Sequence, residues 1–178
     1  MTDTPRGIRP HTAFVLAAGM GARMRPLTDD MPKPMVRLAG RPLIDHVLDR
    51  LAEAGVSRAV VNVHYKAEVL LQHLEARTMP QIVISDERAQ LLDTGGGVAA
   101  ARDAIGHDPF FIHNSDTVWL EQGTANLDNM IRTWDRERMD SLLLLASLEA
   151  SIGYDGAGDF ELTADGRLER RAAGTRAA

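Results

Sequence analysis

Cysteine is absent from the 178 residues, which excludes disulfide scaffolds, thiolate metal sites and cysteine nucleophiles together. An excess of positive charge is also missing. Twenty Lys and Arg face 25 Asp and Glu, for a formal net charge of −5, and this argues against a nucleic-acid footprint. Long apolar runs are lacking: Phe14 to Ala18 and Leu142 to Ala146 fall far short of the roughly 20 residues that a membrane span requires. The stretch from Met1 to Thr12 carries Asp3, Pro5 and Pro10 and no apolar leader, so the expectation is a cytoplasmic protein without membrane association. Lysine is the scarcest charge, with Lys33 and Lys66 standing beside 18 arginines. A lysine kept in such a background points to a position that wants a compact ammonium and not a planar fork.

What is present suits a globular α/β domain. A hydrophobic content of 44% with 25% charged residues is ordinary for one, and a chain of this size should hide about 70% of its unfolded surface without a staple. Residues 1–178 read as a single domain. The apolar runs 12–18, 58–63, 81–85 and 109–113 predict strands buried on both faces. Between them, Pro42 opens a helix whose stripe of Leu43, Ile44, Val47, Leu48 and Leu51 ends at Gly55; a second helix spans 68–76; and Gly95-Gly96-Gly97 opens a third that runs to Ile105. This alternation predicts a three-layer, Rossmann-like fold with a mainly parallel central sheet. Beyond Asp116 the pattern predicts a helix over 127–138, a strand over 141–147 and a hairpin over 160–170 turning at Asp165-Gly166. The Ala- and Arg-rich end, 170–178, is not expected to be ordered by itself.

The stretch from Gly19 to Gly40 is too long for a plain connection and mixes Gly, Arg, Lys and Pro, as functional loops do. It follows the first strand, where sheets of this kind bind phosphates. Glycines let backbone N–H groups approach an anion, and Arg23, Arg25 and Lys33 add positive charge. Neither familiar phosphate loop fits. A dinucleotide fingerprint needs Gly where Met24 stands, and a Walker loop needs Gly-Lys-Ser/Thr. The bland alternative is a pair of glycines that merely shape a turn.

The run LAAGxGxRMxPLTxxxPKP over Leu16 to Pro34 resembles the signature of the sugar-1-phosphate nucleotidyltransferases. The likeness continues through Gly40 to Ile44, Asp93 to Gly97 and Asn114-Ser115-Asp116, and so covers about residues 12–120. Within that family the Thr-Gly-Gly-Gly stretch looks most like the N-acetylmuramate-1-phosphate uridylyltransferases, with mannose-1-phosphate guanylyltransferases as cousins.

The resemblance implies attack of a sugar 1-phosphate, N-acetylmuramate 1-phosphate first, on the α-phosphorus of a nucleoside triphosphate, UTP first. The products would be a nucleotide sugar and pyrophosphate. It implies that Arg23 holds the β- and γ-phosphates and that Lys33 sits by the α-phosphate. Asp116 would bind Mg²⁺ through one carboxylate plus phosphates. Ala17, Ala18, Gly19, Gly21, Thr94, Gly95 and Gly96 would line the nucleotide. Against these stand plainer readings: a solvated Arg23, a surface Lys33, a turn-forming Asp116, and a Thr94 that caps the helix of Gly95 to Gly97. The family text has Gly where this chain has Ser115. His46, His64 and His113 read as buried, hydrogen-bonded histidines and not as metal ligands, and Trp119 and Trp134 as packing residues. The resemblance also makes 12–120 a nucleotide half and 121–178 an incomplete acceptor half. The alternatives are therefore a guanylyltransferase or a nucleotide-binding module without turnover. Oligomeric state is not legible.

Overall fold

The computed structural model describes residues 9–121 and 123–177, and its first strand, β1 (Thr12–Leu16), becomes the centre of everything that follows. After β1 come two single 3₁₀ turns, Ala22–Met24 and Lys33–Met35, and a two-residue hairpin of β2 (Arg37–Leu38) and β3 (Arg41–Pro42). Then follow α1 (Leu43–Glu53), β4 (Arg58–Val63), α2 (Ala67–Leu74), β5 (Gln81–Asp86), α3 (Thr94–Ala100), α4 (Arg102–Ile105), β6 (Phe111–Asn114) and α5 (Asn126–Thr133). A last hairpin joins β7 (Phe160–Leu162) to β8 (Leu168–Arg170). Contacts divide the chain into two compact units, Met1–Asp140 and Ser141–Ala178.

The main sheet has the order β5-β4-β1-β6, with every pairing parallel. Parallel strands need covered faces, and both faces are covered here. Ala13, Val15, Ala59, Val61 and Val63 turn to one side and pack with the apolar stripe of α1 and with α2 and α5. Phe14 and Val60 turn to the other side and pack with Ala101 and Ile105. The three-layer α/β architecture with a parallel sheet is thus the one the alternation of elements implied.

Several bounds differ from the sequence reading. The predicted long loop is partly structured: Ala39 (φ 50°) and Gly40 (φ 81°) make the two-residue turn of the β2–β3 hairpin, the twist that tight hairpins need. Pro42 lies one residue before α1 and not inside it. The third helix divides at Ala101 into α3 and α4. Helix α5 stops at Thr133, because Asp135 turns the chain by accepting a hydrogen bond from the Glu137 N–H at 3.0 Å. Residues 141–147 are not a strand: the apolar run is there, but it has no ladder partner among the described residues, and a strand without one leaves its backbone groups unpaired. The end of the chain is tied down locally. Arg171 donates to the Gly158 carbonyl at 2.8 Å, and the Ala177 N–H donates to that of Ala157 at 2.7 Å.

At the end of β6, His113 is buried, its ring stacked on Trp119 at 5.0 Å between centroids. Its Nδ1 lies 2.6 Å from the Asn114 carbonyl oxygen. Burial pushes its pKa below the ordinary histidine value, with Arg50 acting the same way and the Asn114 hydrogen bond and Asp116 opposing. The unfolded chain therefore binds a proton that the native ring resists, and stability falls as pH drops below about 6.5. Chemical denaturation between pH 7 and 5 should show this loss, and His113→Phe should flatten the slope. Leu48 is fully buried under the sheet, and Leu48→Ala should cost about 2–5 kcal/mol by the same measurement.

Candidate active site

The carboxyl ends of β1 and β6 lie side by side, with Leu16 opposite Asn114. The chain leaves both strands into one cavity of about 280 Å³. One wall is the turn from Ala17 through Gly19 and Gly21 to Arg23 and Met24; the others are Lys33-Pro34 and Ser115-Asp116. Of the residues singled out by sequence, Ala17, Gly19, Gly21, Arg23, Lys33 and Asp116 thus meet around one space.

The turn is held from behind. Gly21 has φ +63°, and a Cβ there would lie 2.9 Å from Thr28 Cγ2, so a side chain at 21 meets both backbone strain and a collision. Thr28 is fully buried, donates its hydroxyl to the Gly21 carbonyl at 2.9 Å, and has its own carbonyl held by Tyr65 Oη at 3.0 Å. On the β6 side Ser115 is buried, and its Oγ donates to the Leu16 carbonyl at 2.7 Å. Serine in place of the expected glycine therefore knits the two strand ends together.

Lys33 Nζ and Asp116 Oδ2 form an ion pair across the cavity, with only 27% and 25% of their side chains exposed. Arg23 is exposed, and among the described residues its side chain makes no hydrogen bond or ion pair. Arg25 instead pairs with Asp29 at 3.6 Å on the surface. The site thus holds one free guanidinium, one ammonium and one carboxylate. No cluster of three His, Cys, Asp or Glu occurs among the described residues. A lone hard carboxylate facing an open cavity still fits Mg²⁺, which takes one or two carboxylates and draws its other ligands from phosphates and water. Asp116 is the residue that would hold it.

Ala18 and the Thr94 to Gly96 stretch do not line the cavity. Ala17 and Ala18 are buried, and both N–H groups donate to Asn62 Oδ1, at 2.6 and 3.2 Å. Thr94, Gly95 and Gly96 do not line the cavity and lie exposed in the first turn of α3. That helix is capped by Asp93, which accepts from the Thr94 N–H at 2.8 Å, and not by Thr94: Asp93 is the extended residue, and Thr94 is already helical. His64 and His46 meet carbonyl oxygens of Glu87 (2.7 Å) and Leu38 (3.0 Å), but only His113 of the three is buried. Trp119 packs on the core and donates to Glu121, and Arg50 both stacks on Trp119 and pairs with Glu121. Burial works against the Glu121 carboxylate, but these donors and the Asn126 N–H outweigh it and hold its pKa below the usual value. The hollow beside Arg50, about 80 Å³, is bordered by this Arg50–Glu121 pair together with the carboxylates of Glu53 and Asp128.

Sequence reasoning gave no structural role to Thr28, Ser115, Asn62 or Glu87, buried polar residues in or behind the walls. Asn62 did carry a signal, as the one polar residue within the apolar run Ala59 to Val63.

Residues 13–144 match the MobA-like NTP transferase domain family. The chain is 51% identical over 169 residues to the N-acetylmuramate α-1-phosphate uridylyltransferase of Caulobacter vibrioides, a match that covers 93% of this chain and 70% of the relative. It is 39% identical over 112 residues to a probable mannose-1-phosphate guanylyltransferase of Oryza sativa, covering 60% of this chain and 31% of that one. Among solved structures, HddC from Yersinia pseudotuberculosis complexed with GMP-PN superposes with a TM-score of 0.53 at 28% identity, covering 60% of this chain and 48% of that one. A parallel sheet, a glycine turn at the mouth of its first strand and a cavity walled by Lys33, Arg23 and Asp116 agree with these matches: the chain belongs to the MobA-like NTP transferase domain family.

Proposed function

We propose that this nucleotidyltransferase moves a uridylyl group from UTP to a sugar 1-phosphate, with N-acetylmuramate 1-phosphate as acceptor, and releases pyrophosphate. The observation that carries the chemistry is the cavity in which Lys33 and Asp116 face each other beside Arg23. The choice of base and sugar rests on the 51% identity to a uridylyltransferase, against 39% over a shorter stretch for the guanylyltransferase relative. The reaction fits nucleotide-sugar supply in the cytoplasm, in the recycling of cell-wall peptidoglycan. Residues 12–120 would carry the nucleotide.

In this reading an oxygen of the sugar phosphate forms a bond to the α-phosphorus while the bond from that phosphorus to the bridging β-oxygen breaks. Such transfers depend on charge neutralisation and in-line placement more than on an acid or base. Arg23, exposed on the turn and unpaired among the described residues, takes β- and γ-phosphate oxygens through its fork. Lys33 releases Asp116 and follows the α-phosphate and the incoming phosphate as a mobile point charge. Gly21, whose φ of +63° and contact with Thr28 leave no room for a side chain, lets the turn take the shape that lines the cavity. Bound Mg²⁺ would add charge neutralisation at the phosphates.

Pyrophosphate release should be measured with Mg²⁺, the four nucleoside triphosphates, and muramate, glucosamine, mannose and glucose 1-phosphates. The highest rate is expected with UTP and N-acetylmuramate 1-phosphate; a preference for GTP and mannose 1-phosphate would replace this reading with the guanylyltransferase one. Nucleotide binding without pyrophosphate release would leave a binding module. Lys33→Ala and Arg23→Ala should each lose more than tenfold in rate, which is more than about 1.4 kcal/mol of barrier. A chelator should abolish activity, Mg²⁺ should restore it, and Asp116→Asn should require much more Mg²⁺ for the same recovery.

A further inference from the structure

Behind the cavity, two buried residues join the two segments assigned to the nucleotide. Asn62, at the carboxyl end of β4, is 3% exposed, and Glu87, just after β5, is also 3% exposed. Asn62 Oδ1 accepts from the Ala17 and Ala18 N–H groups, and Asn62 Nδ2 donates to Glu87 Oε1 at 2.8 Å. The other oxygen, Glu87 Oε2, accepts from the Leu92 N–H at 3.1 Å, in the loop that leads into Asp93 and Thr94. The backbone of Glu87 is fixed as well: its N–H donates to the Val63 carbonyl at 2.9 Å, and its carbonyl oxygen meets His64 Nδ1.

This chain of bonds has a direction. A carboxylate only accepts, so Glu87 compels Asn62 to present its NH₂ toward it and its carbonyl toward the turn. Only in that orientation can one side chain hold both N–H groups that follow β1. Gly97 completes the arrangement, because a Cβ there would lie 2.8 Å from Glu87 Oε1. The third glycine of the Thr-Gly-Gly-Gly stretch is thus needed by the carboxylate and not by a ligand.

We propose that Asn62 and Glu87 are positioning residues for nucleotide binding: through one directed hydrogen-bond relay they set the Ala17-Ala18-Gly19 turn and the Leu92–Thr94 loop relative to each other. This rests on the reading that both segments serve a nucleotide. The relay itself touches no substrate.

The directionality supplies the test. In Glu87→Gln the amide can satisfy Asn62 or Leu92 but not both. One orientation sets its NH₂ against the Leu92 N–H; the other turns Asn62 and sets that side chain's NH₂ against Ala17 and Ala18. In Asn62→Asp two carboxylates face each other. The double swap, Asn62→Asp with Glu87→Gln, satisfies every group again with the net charge unchanged. The carboxylate introduced at position 62 accepts from the turn and from the amide NH₂ introduced at position 87, and the oxygen of that amide accepts from Leu92. The measurements are UTP affinity with Mg²⁺ by calorimetry, thermal midpoint, and amide hydrogen exchange at Ala17 and Ala18 by NMR. Each single substitution should weaken UTP binding at least tenfold. The double swap should return it to within about threefold of the wild type, with protection at Ala17 and Ala18 restored. Should a single substitution prevent folding, the double swap and Gly97→Ala, which displaces the carboxylate and should also weaken UTP, carry the comparison. Single variants that fold and bind UTP as the wild type does overturn the proposal. So does a double swap that recovers the thermal midpoint but not the affinity, since that outcome makes the pair structural only. A folded wild type that binds no nucleoside triphosphate fails earlier and removes the functional reading itself.

Discussion

The parallel pairing of β1 between β4 and β6 is the constraint from which the site follows. Because both faces of β1 are covered, its residues have no freedom to slip: a shift of one position would turn Phe14 into the layer that now holds Ala13 and Val15. The register fixes where each strand ends, and three ends matter. Leu16 stands opposite Asn114, so the segments that follow, Ala17 onward and Ser115 onward, are neighbours although about a hundred residues apart in the chain. Val15 stands opposite Val61, so the next residue of β4, Asn62, arrives level with the start of the turn. Apolar packing, which is not directional, thereby delivers polar groups to within hydrogen-bond distance.

Those polar groups then supply the direction that packing lacks. Thr28, Ser115, Asn62 and Glu87 are all buried, and each has its hydrogen bonds made. A buried polar group that lost its partner would be costly, so such groups hold the surrounding backbone to one conformation. Around the cavity they hold the turn, while Arg23, exposed upon it, makes no such tie among the described residues.

The sequence made the strands of the main sheet legible where a β-branched run is bounded on both sides, as in β4, whose ends match the reading at Arg58 and Val63. It was less informative for β6, which begins at Phe111 and not at Pro109, since pairing starts where Ala13 finds its neighbour and the apolar run extends past that point. The run 142–146 is apolar enough for a strand, yet strand formation is a property of two segments, and local composition reports only one. The cavity was legible for a related reason. Its glycines and cations fall within one stretch, Gly19 to Lys33, and its aspartate was legible once the fourth predicted strand was placed. The residues that hold its walls come from four separate parts of the chain and share no spacing, and a pattern search along one dimension passes over them.

The ion pair of Lys33 with Asp116 has one last consequence. In the resting protein each charge is the other's counterion, so a lone anion drawn to the ammonium would strand a half-buried carboxylate, and a lone cation drawn to the carboxylate would strand the ammonium. A metal chelated by a polyphosphate offers both opposite signs in a single exchange and strands neither. The resting contact thus ties the two side chains together: an exchange at either one is least costly when it brings an opposite charge to both.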